Sequence, residues 1–86
     1  MFYVYVLRSQ TRKLLYIGYT NDFDKRLRGH NEGRSHTTKK YRPWDLVYLE
    51  SYRSQEDAKD RERKLKQFGK VYSQLKRRIK RSLEVA

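Results

Sequence analysis

Six residues have the types and spacings that could do chemistry on a phosphate. Tyr5 and Tyr16 sit at the centres of two strand-like runs, and Gly18 lies two residues beyond Tyr16. Arg26 and His30 are four apart on a helical segment, and Glu62 lies on a later one. Glu62 shares a stripe with Ala58 and Leu65, where a carboxylate costs free energy unless it is paired or binds a metal. Two readings stay open: a buried Glu–Arg pair holding the helix down, or a ligand for Mg²⁺, an ion usually held by one or two carboxylates plus waters and substrate phosphate. Taken singly, Tyr5 and Tyr16 also read as core packing, Arg26 as a solvent-facing charge and His30 as a boundary residue. Gly18 inside a strand pattern marks a close approach of another group.

The elements that must position these groups follow from local pattern. Phe2 to Leu7 is β-branched and aromatic, as is Leu14 to Tyr19, and the short polar link between them predicts an antiparallel hairpin. Thr20-Asn21-Asp22 offers helix caps. A helix is expected from about Asp22 to Asn31, with Phe23, Leu27 and His30 on one face and Gly33 as breaker. Arg34 to Arg42 reads as a polar, basic loop. Pro43 cannot donate to a ladder and marks the start of a third strand, Trp44 to Tyr52, in which Leu46, Tyr48 and Glu50 alternate against Val47, Leu49 and Ser51. Ser54 to Asp57 resembles a capping box that opens a helix reaching about Phe68, with Gly69 as its C-cap. A basic helix over about 72–83 carries Leu75, Ile79 and Leu83 on one stripe. The order ββαβαα predicts an α+β fold: a three-stranded antiparallel sheet flanked by helices, one domain over residues 1–86.

Composition narrows the function classes. The 86 residues hold 22 Lys and Arg against 10 acids, a formal charge of +12. Leu, Ile, Val and Phe make up only about a fifth of the chain, near the disordered range. Eight tyrosines and one tryptophan supply apolar bulk instead, so a small, tyrosine-rich core is expected. Self-repulsion predicts modest stability, raised by salt or a polyanion. There is no cysteine, which excludes disulfides, thiolate zinc sites and a cysteine nucleophile. The longest apolar run is too short to span a bilayer, and no signal peptide is expected. A soluble cytoplasmic protein with a nucleic-acid partner and no membrane partner is the expectation. Between Lys59 and Arg81 there are eleven basic residues and only Asp60 and Glu62 as acids. That one-sided run, with Lys39, Lys40 and Arg42 beside Tyr41, predicts a phosphate-binding surface. Lys25, Arg34, Lys66, Lys70, Lys76 and Arg77 complete the candidate nucleic-acid contacts.

Together the residues resemble the GIY-YIG nuclease superfamily, and within it the small standalone UPF0213-type proteins. Tyr16-Ile17-Gly18 stands as the second signature triplet. Tyr3-Val4-Tyr5 occupies the first, with Tyr3 and Val4 in place of Gly and Ile. Arg26 and His30 follow Gly18 at family spacing. Arg61-Glu62-Arg63-Lys64-Leu65-Lys66 looks like the segment bearing the metal-binding Glu, and Arg42-Pro43-Trp44 is similar to small standalone members. The resemblance covers about residues 2–70. It implies a divalent-metal-dependent endonuclease that hydrolyses phosphodiester bonds in DNA, structure- rather than sequence-selective, with repair as the pathway class. Glu62 would hold one Mg²⁺ or Mn²⁺, Arg26 the phosphate, and Tyr5 would serve as general base with a depressed pKa. Tyr16 would orient water or phosphate, and His30 would assist proton transfer or hold Tyr5. One site implies one strand cut at a time, by a monomer or weak homodimer. From another class, a basic nucleic-acid-binding module without turnover fits the charge equally.

Overall fold

The structure, a computed structural model, describes residues 1–84. The aromatic and β-branched start of the chain forms β1 (Phe2–Ser9), and the second run forms β2 (Leu15–Thr20). They pair antiparallel, with Tyr5 opposite Gly18 and Leu7 opposite Tyr16. β3 (Trp44–Tyr52) pairs on the other side of β1, so the sheet order is β2-β1-β3. The central strand is therefore hydrogen-bonded along both edges, and Val4, Tyr5, Val6 and Leu7 are all buried. Burying each such side chain contributes about 1.5–3 kcal/mol. The expected α+β architecture and element order ββαβαα are present.

One face of the sheet carries Val4, Val6 and Ile17. It packs against Ala58 and Leu65 of α2 (Gln55–Leu65) and Leu75 of α3 (Lys70–Arg78). The opposite face carries Tyr5, Leu7 and Trp44, under Phe23 and Leu27 of α1 (Phe23–Asn31). Helix starts are set as the caps predicted: Asp22 accepts from the Lys25 amide and Ser54 from the Asp57 amide. Asn31 clamps the start of β3, donating to the Trp44 carbonyl and accepting from its amide.

Four expectations are corrected. β3 does not alternate strictly. Its register against β1 slips between Val6 and Leu7, which leaves Val47 as a bulge. The extra residue reverses parity, so Trp44 reaches the α1 face while Tyr48 and Tyr52 reach the other. α2 ends at Leu65, short of Phe68, and tightens through bonds from the Gln67 amide to the Lys64 carbonyl and from Phe68 to Leu65. Gly69 is not its C-cap. It is the N-cap of α3, and the left-handed conformation falls on Phe68, φ 56°. The next helix starts at once, so the reversal lands one residue early. The basic helix over 72–83 starts earlier and bends at Ile79, giving α3 and α4 (Lys80–Glu84). The bend keeps Ile79 buried and lets Leu83 pack on the same core. The Arg34–Arg42 loop contains a 3₁₀ turn, Lys39–Tyr41.

Candidate active site

Tyr5 projects from the central strand onto the α1 face, flat over Gly18. A Cβ at Gly18 would overlap the Tyr5 ring and its hydroxyl. The close approach expected at this glycine is thus the phenol itself. The Tyr5 hydroxyl lies 2.8 Å from His30 Nε2. His30 is not a boundary residue: it is 1% exposed, because α1 turns it inward onto the sheet. Its other nitrogen, Nδ1, lies 2.7 Å from Thr38 Oγ1, and the Trp44 indole N–H donates to the Thr38 carbonyl at 2.9 Å. Tyr16 completes the aromatic cluster, its ring 5.0 Å from that of His30 and 6.3 Å from that of Tyr5.

Glu62 approaches from α2. Its side chain is 23% exposed, and its Oε2 lies 3.2 Å from the Lys66 ammonium. Lys66 Nζ also sits 5.8 Å over the Tyr16 ring. Glu62 does not form the buried Glu–Arg pair that the sequence left open; a half-buried pair is made instead by its neighbour Arg61 with Glu50. Arg61 grips both oxygens of Glu50 through Nε and Nη2, and Tyr48 and Tyr52 each donate to Glu50 at 2.6 Å. Arg61 therefore anchors the helix while Glu62 is left at the rim. Burial pushes the Glu50 carboxyl up, but those donors outweigh it and hold it below its ordinary 4.5. Burial and the same carboxylate push the Tyr52 phenol up to about 12.

The Tyr5 phenol is not depressed. Burial raises it, the neighbouring Tyr16 and the Glu62 charge add to that, and Arg26 acts in the opposite sense. The charges of both Arg26 and Glu62 are thus felt at one hydroxyl. His30 is held below its ordinary 6.5, first by burial and then by the Arg26 charge, so it is a neutral imidazole. Arg26 itself is exposed and, with Lys25, Arg34 and His30, lines an open hollow of about 310 Å³. The structure therefore joins Tyr5, Tyr16 and His30 in direct contact, brings Glu62 toward Tyr16 through Lys66, and places Arg26 on the hollow that His30 also lines.

The other basic candidates are all exposed. Lys39 and Lys40 lie in the 3₁₀ turn, and the Arg42 guanidinium lies where a Cβ of Gly33 would stand, a glycine at φ 78°. Lys70 opens α3, and Lys76 and Arg77 close it. Lys66 is exposed as well, and pairs with Glu62 above the Tyr16 ring. Thr38 was not foreseen, since nothing in a polar loop distinguishes the threonine that turns inward. Glu50 was legible in principle, flanked at i ± 2 by Tyr48 and Tyr52.

Among the described residues no three His, Cys, Asp or Glu side chains converge as a metal cage. A cation here would have Glu62 as its one protein carboxylate, in competition with Lys66, with waters and substrate oxygens completing the shell. No described helix is long and apolar enough to cross a membrane.

A GIY-YIG catalytic domain is matched over residues 1–77. The chain is 37% identical to a UPF0213 protein of Bacillus velezensis, over 98% of this chain and 87% of that protein. It is 43% identical to a UPF0213 protein of Pediococcus pentosaceus over 77% and 70%, and 38% identical to one of Staphylococcus haemolyticus over 79% and 83%. No solved structure matches. The two signature tyrosines, Gly18, and the arginine, histidine and glutamate gathered around them agree with that match over nearly the whole chain: the protein belongs to the GIY-YIG family of nucleases, among its UPF0213 members.

Proposed function

We propose that this protein is a divalent-metal-dependent endonuclease that hydrolyses phosphodiester bonds in DNA, choosing substrates by structure rather than sequence. The observation that carries the reading is the Tyr5–His30 hydrogen bond beside the hollow that His30 lines together with Arg26. Arg26 would bind the non-bridging oxygens of the scissile phosphate, its forked donors matching their geometry. Glu62 would hold one Mg²⁺ or Mn²⁺, which when bound supplies Lewis acidity at the phosphate and at the leaving 3′ oxygen. Tyr16 orients the attacking water. The water gives its proton to the Tyr5 oxygen as the phenol passes its own to neutral His30 Nε2. This relay removes the need for a free phenolate, which burial disfavours. Lys25 and Arg34 extend the phosphate track along the hollow.

The test is incubation of purified protein with nicked, flapped, branched and continuous duplex DNA, with Mg²⁺, with Mn²⁺ and with chelator. The expected result is metal-dependent cleavage of the discontinuous substrates. Salt-sensitive binding with no product in either metal would instead assign a binding module without turnover.

A further inference from the structure

Phe68 is 62% exposed, the most exposed large hydrophobic among the described residues. It also holds a left-handed backbone, φ 56°, which is unfavourable for an aromatic residue, while the adjacent Gly69 could adopt it freely and does not. One edge of its ring is supported: it stands perpendicular to Tyr72, with centroids 5.0 Å apart. Lys76 Nζ lies 5.4 Å over the Tyr72 ring. A solitary exposed aromatic is ordinary. An exposed aromatic held in a strained turn, braced by a second ring that itself carries an ammonium group, suits a flat, uncharged ring on an anionic backbone. A nucleobase has that chemistry.

The position matters as well. Phe68 is two residues beyond Lys66, which contacts both Glu62 and Tyr16. Two peptide units span at most about 7 Å, so the ring stands within a few nucleotides of a phosphate held at Glu62. We infer that Phe68, braced by Tyr72, is a stacking platform for an unpaired base beside the scissile phosphate. It gives the protein its preference for flapped, gapped or single-stranded DNA over continuous duplex. That this phosphate is the one cleaved rests on the nuclease reading; the stacking of a base does not.

The experiment uses the full chain and a flapped oligonucleotide with 2-aminopurine at the first unpaired position, against a continuous duplex of equal length. Wild type quenches the probe and binds the flap more tightly than the duplex. Phe68→Ala abolishes the quench and weakens flap binding about tenfold, with duplex affinity unchanged. Phe68→Trp retains both. Phe68→Gly relieves the backbone conformation, so it resists urea better than wild type while losing the quench. Unchanged flap preference in Phe68→Ala overturns the inference, as does equal weakening of flap and duplex. Concentration-dependent self-association that Phe68→Ala removes also overturns it. Quench without cleavage in Mg²⁺ upholds the platform and removes the hydrolase reading.

Discussion

The Tyr5 hydroxyl and His30 Nε2 lie 2.8 Å apart with both residues 1% exposed, so the central phenol of this fold is tied to a neutral imidazole away from solvent. The tie is held from behind by Thr38, 2.7 Å from Nδ1. Thr38→Val keeps the shape and removes the hydroxyl, leaving a buried ring nitrogen unpaired. The expected loss is about 1–3 kcal/mol of stability, read from urea unfolding, with turnover reduced as well. Thr38→Ser restores both. A Thr38→Val protein as stable and active as wild type would show that the contact positions nothing.

Gly18 is needed because Tyr5 lies on it. In Gly18→Ala the new methyl would meet the phenol ring, and neither it nor the paired backbone has a free direction in which to move. Overpacking of this kind costs about 1–3 kcal/mol. The same displacement would break the bond to His30, so cleavage should fall more steeply than stability. Near-UV circular dichroism of the tyrosines reports the shift directly.

The pH dependence of stability has two windows. His30 has a folded pKa below 6.5, so as pH drops beneath 6.5 the unfolded chain takes the proton first, and the stability present at neutral pH falls. Glu50 has a folded pKa below 4.5, so its contribution is present above 4.5 and is lost as pH falls through the lower folded value. Urea midpoints measured against pH should decline in both windows. His30→Gln should flatten the first and Glu50→Gln the second. A wild-type midpoint constant from neutral pH down to 4.5 contradicts the neutral, buried imidazole.

Much of this was legible in the chain because the signals are local. Strand propensity and the caps at Asp22 and Ser54 place the elements, while Tyr5, Tyr16, Arg26, His30 and Glu62 were named as candidates by the family resemblance. What escaped depends on three-dimensional competition. The bulge at Val47 puts Trp44 on one face of β3 and Tyr48 and Tyr52 on the other, which a period-two pattern does not anticipate. The choice of Arg61 and Glu50 as the anchoring pair, with Glu62 spared, requires knowing which carboxylate faces Tyr48 and Tyr52. The raised phenol of Tyr5 follows from burial depth, whereas the net charge of +12 pointed the other way. Phe68 took the left-handed turn although Gly69 stood next to it.

Lys66 occupies the partner position of the Glu62 carboxylate. A divalent ion must compete with it, so Lys66→Met should bind Mn²⁺ several-fold more tightly by calorimetry. Lys64→Met, an equal loss of charge on the same helix, serves as the reference. Equal effects of the two would reduce Lys66 to background charge. The ammonium freed by the ion is expected to move to substrate phosphate, so Lys66→Met should also cleave more slowly when the metal is saturating.

The central claim is that the residues around Tyr5 act on a single phosphodiester. It is tested most directly by single-turnover cleavage of an end-labelled flap in Mg²⁺ by wild type and by Glu62→Gln, an isosteric change at the rim of the fold. The expected result is a loss of at least about a hundredfold with the urea midpoint preserved. Equal rates from the two proteins would contradict it.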